Sequence, residues 1–275
     1  AQIERTKHEL DSDAALHLSL QQLETINHLK PILIKWDTAF TQCTTDEKKM
    51  LMARLINKIT VDKNYRITID FRVSFDEFCR IACDTGFQGI ELHGIDNPMF
   101  TSRGGPFSEY SAAATVRKMH ETGLSIPCID AVCDISAEDA DAAAAHITEC
   151  IKKASELRIP YVRVHAAESE DAAAAAERSR ALIGRVIGAA EEKNVGILVE
   201  TCGIFSDTLL LKDTLDTFAC DSVGALWDLH NPARFRGESA EETIKNLGAY
   251  VRHVHVKDSE GSGENLAYCL IGEGE

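Results

Sequence analysis

The sequence has no long apolar run. Nothing in it approaches the ~20 consecutive apolar residues a helix needs to cross a bilayer, and no leader of the secretory type opens it. A cytoplasmic setting without membrane contact is the expectation. It also lacks any Cys-x-x-Cys pair. Its 9 cysteines (Cys43, Cys79, Cys83, Cys128, Cys133, Cys150, Cys202, Cys220 and Cys269) are odd in number and scattered. That pattern argues against a zinc knuckle and a disulfide framework, and for a reducing compartment. Most of these cysteines fall in apolar patterns, where a free thiol behaves as a small hydrophobe. Basic charge is scarce too, with 29 Lys and Arg against 44 Asp and Glu, a net −15. The first 64 residues balance their charges, so the whole excess lies on the remainder. An acidic body opposes non-specific nucleic-acid binding, which relies on neutralising phosphates.

What is present is an ordinary packing composition, 44% hydrophobic and 27% charged. From Ser74 onward, short apolar runs alternate with helical patterns. Strands are expected at 89–93, 125–131, 161–165, 196–200, 223–228 and 251–256. Helices are expected between them, including an Ala-rich one over 137–156. Such alternation implies a parallel α/β architecture.

Three of these runs end in groups that strand ends do not require. GILVE closes on Glu200, and the run at 223–228 closes on Asp228 with His230 two residues on. The third, VRHVHVKD, carries His253, His255 and Lys257 on one face. If the three strands are neighbours, a Glu, an Asp and a His meet at their carboxyl ends. Mixed oxygen and nitrogen ligands suit Mn²⁺, Co²⁺, Zn²⁺ or Mg²⁺. Glu91 shares a face with His93, and Arg163 with His165; Asp130 is a weaker candidate at the strand end between them. An ordinary solvated strand end is the alternative for His93, His165 and Lys257 taken singly. Arg234 and Arg236 follow Pro232 in the loop after Asp228 and could meet a phosphate or carboxylate. A solvated loop explains Arg236 equally well.

The ordered motifs LVETCG, WDLHNPARFRGES, HVHVKDS and IGEGE resemble the sugar-phosphate isomerase/epimerase family, the xylose-isomerase-like TIM barrels, over residues 74–275. The resemblance implies a (β/α)8-type barrel and a divalent metal held by Glu200, Asp228 and His255. It implies a substrate that is a small sugar or sugar phosphate. Glu200 would abstract a proton beside a carbonyl, giving an enediolate. His93, His165, His230, Arg234 and Lys257 would face the substrate, with Lys257 near a developing oxyanion. His230 could instead buttress the ligands. The family's metal usually has a fourth ligand, a Glu on the last strand that also serves in proton transfer. The chain stops before that strand, so a fragment is expected, with weaker metal binding and a rate lowered about 10²–10⁴-fold. RITIDF (66–71) would have to supply the first strand. An open barrel would leave edges able to pair with another copy.

Two rival readings remain at this stage. One is a metal hydrolase of the apurinic-site endonuclease type on the same fold. The other is a non-catalytic segment whose front part acts as an interaction arm. Residues 9–30 carry Leu16, Leu20, Leu23 and Ile26 at helical spacing, and Pro31 ends the run. Thr44 and Glu47 form a capping-box pattern before a helix face of Leu51, Leu55 and Ile59. Residues 58–71 alternate like two strands about Asp62-Lys63-Asn64. The stretch EKKMLMARLINKITVDKNYRITIDFRVSF resembles the C-terminal tail of large serine recombinases over residues 9–75. The expected division is therefore a helical segment at 1–64 and an incomplete barrel at 65–275.

Overall fold

The computed structural model describes residues 44, 49, 56–61, 67–71 and 74–274, except 219 and 262. It divides into two compact units, Ala1–Ser74 and Phe75–Glu275. In the first, β1 (Ile56–Val61) pairs antiparallel with β2 (Ile67–Phe71). One expectation changes here. Ile59 lies on β1 rather than on a helix face. The described part of 66–71 takes β1 as its antiparallel partner. A partner a few residues away costs little loop-closure entropy, which favours the hairpin. The helix expected over 9–30, the helix after Thr44 apart from the helical Lys49, and the turn at 62–64 lie outside the described residues.

The second unit runs α1 (Phe75–Asp84), β3 (Leu92–His93), α2 (Pro98–Thr101), α3 (Ala112–Glu121), β4 (Cys128–Asp134), α4 (Ala140–Leu157), β5 (Tyr161–His165), α5 (Ala172–Lys193) and β6 (Gly196–Glu200). It continues with α6 (Thr208–Leu215), β7 (Val223–Asp228), α7 (Ala240–Leu247), β8 (Val251–His255), β9 (Asp258–Glu260) and β10 (Ala267–Cys269). Strands β3 to β8 form one parallel sheet in chain order, as successive βα units require. Burial explains their sequences. Ile197, Leu198, Val199 and Glu200 are all buried on β6, as in a parallel strand covered on both faces. The Ala-rich α4 and α5 present Ala143, Ala144, Ala154, Ala175, Ala176 and Ala190 to the core. Helix starts are set by side chains. Asp139, Asp171 and Asp207 accept the first free N–H groups of α4, α5 and α6, and Ser239 with Glu242 makes a capping box on α7. Each cap is worth about 1 kcal/mol.

The sheet curls. Glu91, one residue before β3, reaches His253 and His255 on β8, so the first and last strands meet through their side chains. At β8 the outward Val254 and Val256 are exposed. Residues 258–269 add no seventh parallel strand; β9 and β10 pair antiparallel with each other. No described helix is long and apolar enough to cross a membrane.

Candidate metal centre

Register brings the three expected ligands together. Glu200 on β6 lies opposite Leu226 on β7, and Asp228 lies opposite His255 on β8. The Thr201 hydroxyl accepts from the Asp228 backbone N–H at 2.9 Å and so ties the ends of β6 and β7. One ligand atom each from Glu200, Asp228 and His255 falls within 4.8 Å of the other two. A single ion can therefore touch all three.

Each side chain is held from behind. Arg163 on β5 donates to Glu200 Oε2 at 2.9 Å and to Asp130. Both carboxylates are nearly buried, and Arg163 is the cation that makes their burial tolerable. Burial alone would raise the Glu200 pKa, but the His255 hydrogen bond and the Arg163 charge pull it down to about 2. Asp228 is fully buried. Its Oδ1 accepts the backbone N–H of His230 at 3.0 Å and of Asn231 at 3.1 Å. Its Oδ2 has Lys257 Nζ at 2.6 Å but no aligned hydrogen-bond donor. Lys257 here occupies the place of a neutralising cation. Burial would lower the Lys257 pKa, yet the Asp228 contact outweighs it and holds it up. His255 places Nδ1 3.1 Å from Glu200 Oε1 and Nε2 3.1 Å from Glu91 Oε2. Those carboxylates raise its pKa to about 9, the Glu200 hydrogen bond most.

This donor set suits a divalent cation. It offers two carboxylates and one imidazole, and one carboxylate oxygen is buried without an aligned donor. The expected fourth ligand, on a strand after β8, is not among the described residues.

The other expected site residues are dispersed. His93 is largely exposed, with Nδ1 2.7 Å from Asp130 Oδ2. His165 ends β5 and belongs to neither group of metal-ligating geometry. His230 is buried, with its ring between Phe235 and Tyr268 and Nε2 2.7 Å from Ser259 Oγ. It locks the β9–β10 hairpin against the loop after β7 and does not point into open space. Arg234 and Arg236 sit in the turn Pro232–Arg236, where Arg236 pairs with Glu168 at 2.8 Å. Lys257 borders a concavity of about 390 Å³ with Val256, Asp258, Tyr268, Cys269 and Ile271. A larger cavity, about 750 Å³, is lined by Ser125, Pro127 and Pro160, which precede β4 and β5. That end of the sheet is opposite the carboxyl ends where sites of this architecture lie. Residues 271–274 fold back so that Gly272 and Gly274 donate to Asp258 Oδ2 at 2.8 and 3.0 Å.

Sequence reading gave Arg163 and Glu91 no role, although they organise the centre. Their signal was positional: Glu91, Arg163 and His253 each stand two residues before a candidate residue, on the same face. Cys128, Cys150 and Cys202 are pushed up to about 12, chiefly by burial, so they are packing groups and not nucleophiles.

Among curated proteins nothing matches the chain. Solved structures do. The IolI protein with a bound zinc atom matches at a TM-score of 0.60 and 16% identity, over 73% of this chain and 75% of that one. A D-tagatose 3-epimerase-like protein matches at 0.59 and 17%, over 74% and 78%. The probable 3-DHS dehydratase AsbF of Bacillus anthracis matches at 0.54 and 17%, over 70% and 71%. At such identities the likeness is one of fold. The family model described as xylose isomerase-like TIM barrel matches residues 79–274, most of the chain, and the parallel sheet with its helices agrees with it. The chain belongs to the xylose isomerase-like TIM barrel family.

Proposed function

We propose that the chain is a divalent-metal-dependent isomerase or epimerase acting on a small sugar or sugar phosphate by proton transfer beside a carbonyl. The observation that carries this reading is the convergence of Glu200, Asp228 and His255 on one point at the carboxyl ends of β6, β7 and β8. These three residues would hold the ion. Bound there, a divalent cation supplies Lewis-acid polarisation of a substrate carbonyl.

The remaining work falls to the chain. Arg163 keeps Glu200 ionised and fixed in direction. Glu200 would accept the substrate proton, and the His255 ring beside its Oε1 is the partner it would first have to give up. To act as a ligand through Nδ1, the ring must give up any proton on that atom. Lys257, with Nζ 2.6 Å from Asp228 Oδ2, would meet negative charge on a substrate oxygen bound beside that carboxylate. His93 and His165, at the ends of β3 and β5, would line the approach.

The test is deuterium exchange. Ketohexoses such as D-fructose, D-tagatose and D-psicose are incubated with the full chain and Mn²⁺ in D₂O, and the carbon next to the carbonyl is followed by NMR. Exchange that disappears in Glu200→Gln is expected. Exchange no faster than in that variant for every sugar tried contradicts the reading. The endonuclease alternative gains nothing from the site. Among the described residues two ligand groups share one histidine, which is lean for a metal cluster, and the chain is acidic.

A further inference from the structure

His255 belongs to a second group. Its Nε2 atom faces Glu91 at 3.1 Å, and the Nε2 atom of His253 contacts the same carboxylate. The two histidines are neighbours on one face of β8, with ring centroids 5.5 Å apart. Glu91 arrives from the opposite edge of the sheet. One ligand atom from each of Glu91, His253 and His255 lies within 4.8 Å of the others. Glu91 is exposed and both histidines are half-buried, so solvent or a small molecule can complete the coordination of an ion there.

We propose that Glu91, His253 and His255 form a second divalent-cation site, and that it is mutually exclusive with the site of Glu200, Asp228 and His255. Exclusivity follows from the ring. A neutral imidazole has one lone-pair nitrogen and one N–H. With an ion on the inner group, Nδ1 is the ligand and Nε2–H is donated to Glu91. With an ion on the outer group, Nε2 is the ligand and Nδ1–H is donated to Glu200. Either arrangement completes a carboxylate–histidine–metal relay, with the carboxylate fixing the tautomer. The two groups differ in softness. Two imidazoles and one carboxylate favour Zn²⁺ or Co²⁺, whereas two carboxylates and one imidazole also accept Mn²⁺ and Mg²⁺. Zn²⁺ in the outer group would take His255 away from the inner one. This inference shares His255 with the proposed function but depends on Glu91 and His253, which that reading does not use.

Equilibrium dialysis of the full chain against Zn²⁺ counts the bound ions. The native chain is expected to bind one. Asp228→Asn, which cripples the inner group, is expected to keep one, and His253→Ala, which cripples the outer, is expected to keep one. The double variant is expected to bind at least tenfold more weakly than either. Circular dichroism checks that each variant is folded, and His253→Gln replaces His253→Ala if the latter is not. Equal Zn²⁺ binding by Asp228→Asn and the double variant overturns the second site. Two ions on the native chain overturn the exclusivity. Loss of binding in His253→Ala with retention in Asp228→Asn leaves the second site standing and removes the inner one.

Discussion

Replacing Arg163 by Ala should unfold the metal-free protein more easily than almost any other single change in the barrel unit. The guanidinium is 18% exposed and lies between Asp130 and Glu200, whose side chains are 5% and 7% exposed. Removing it takes the shared guanidinium from two buried carboxylates and leaves Asp130 to His93 and Glu200 to His255. Breaking a buried pair from one side costs about 3–5 kcal/mol, and because the two pairs share one cation the costs do not simply add. For a unit of this size each kcal/mol shifts the midpoint by about 2–4 °C, so a fall of roughly 6–20 °C is expected. The effect should depend on pH with a definite sign. The folded-state pKa of Glu200 is depressed to about 2 from an ordinary 4.5. Its stabilisation is therefore complete above 4.5 and is lost as pH falls through 2. The gap between native and variant should be full at pH 7 and narrow between pH 4.5 and 2. Thermal and urea unfolding of the chelator-treated chain at both ends of that range measures it. A variant within about 1 kcal/mol of native at pH 7, or a gap unchanged at pH 3, would refute the reasoning.

Other consequences are smaller. His230→Ala removes the Nε2 contact with Ser259 and the ring between Phe235 and Tyr268. Amide exchange in 258–260 and 267–269 should rise about tenfold or more while the six-stranded sheet stays protected; uniform loss of protection would contradict the local role. Asp258→Ala frees the Gly272 and Gly274 N–H groups, so cleavage at 270–274 by a non-specific protease should speed up. Global stability should change by no more than about 1–3 kcal/mol. Gly203→Ala forces a Cβ onto the Ala166 carbonyl at φ 54°, just beyond the end of β6. Metal affinity at Glu200 should fall with stability, and unchanged values for both would contradict the packing.

The parts of the centre that were legible in the sequence are those where one strand end suffices. Glu200, Asp228 and His255 each close an apolar run, and a period of two assigns their face without any partner being known. Arg163 and Glu91 were not legible as organisers. Their roles exist only through Asp130, Glu200, His253 and His255, on strands 33 or more residues away. His230 was visible as a polar group in a loop, but its partner Ser259 lies 29 residues on, in a hairpin with no strong strand pattern. The pairing of β2 was not legible for a different reason. A hairpin arm and a half-buried strand share the same period, so alternation alone cannot choose β2's partner.

The most direct measurement is a Mn²⁺ titration of the His253→Gln chain, in which, of the two ligand groups among the described residues, that of Glu200, Asp228 and His255 stays intact, with and without Glu200→Gln. The account predicts one equivalent bound, and affinity at least about 100-fold weaker once Glu200 is neutral, since even outer partners of metal ligands are worth about 10–100-fold. Absence of binding, or the same affinity with Gln at position 200, would contradict it.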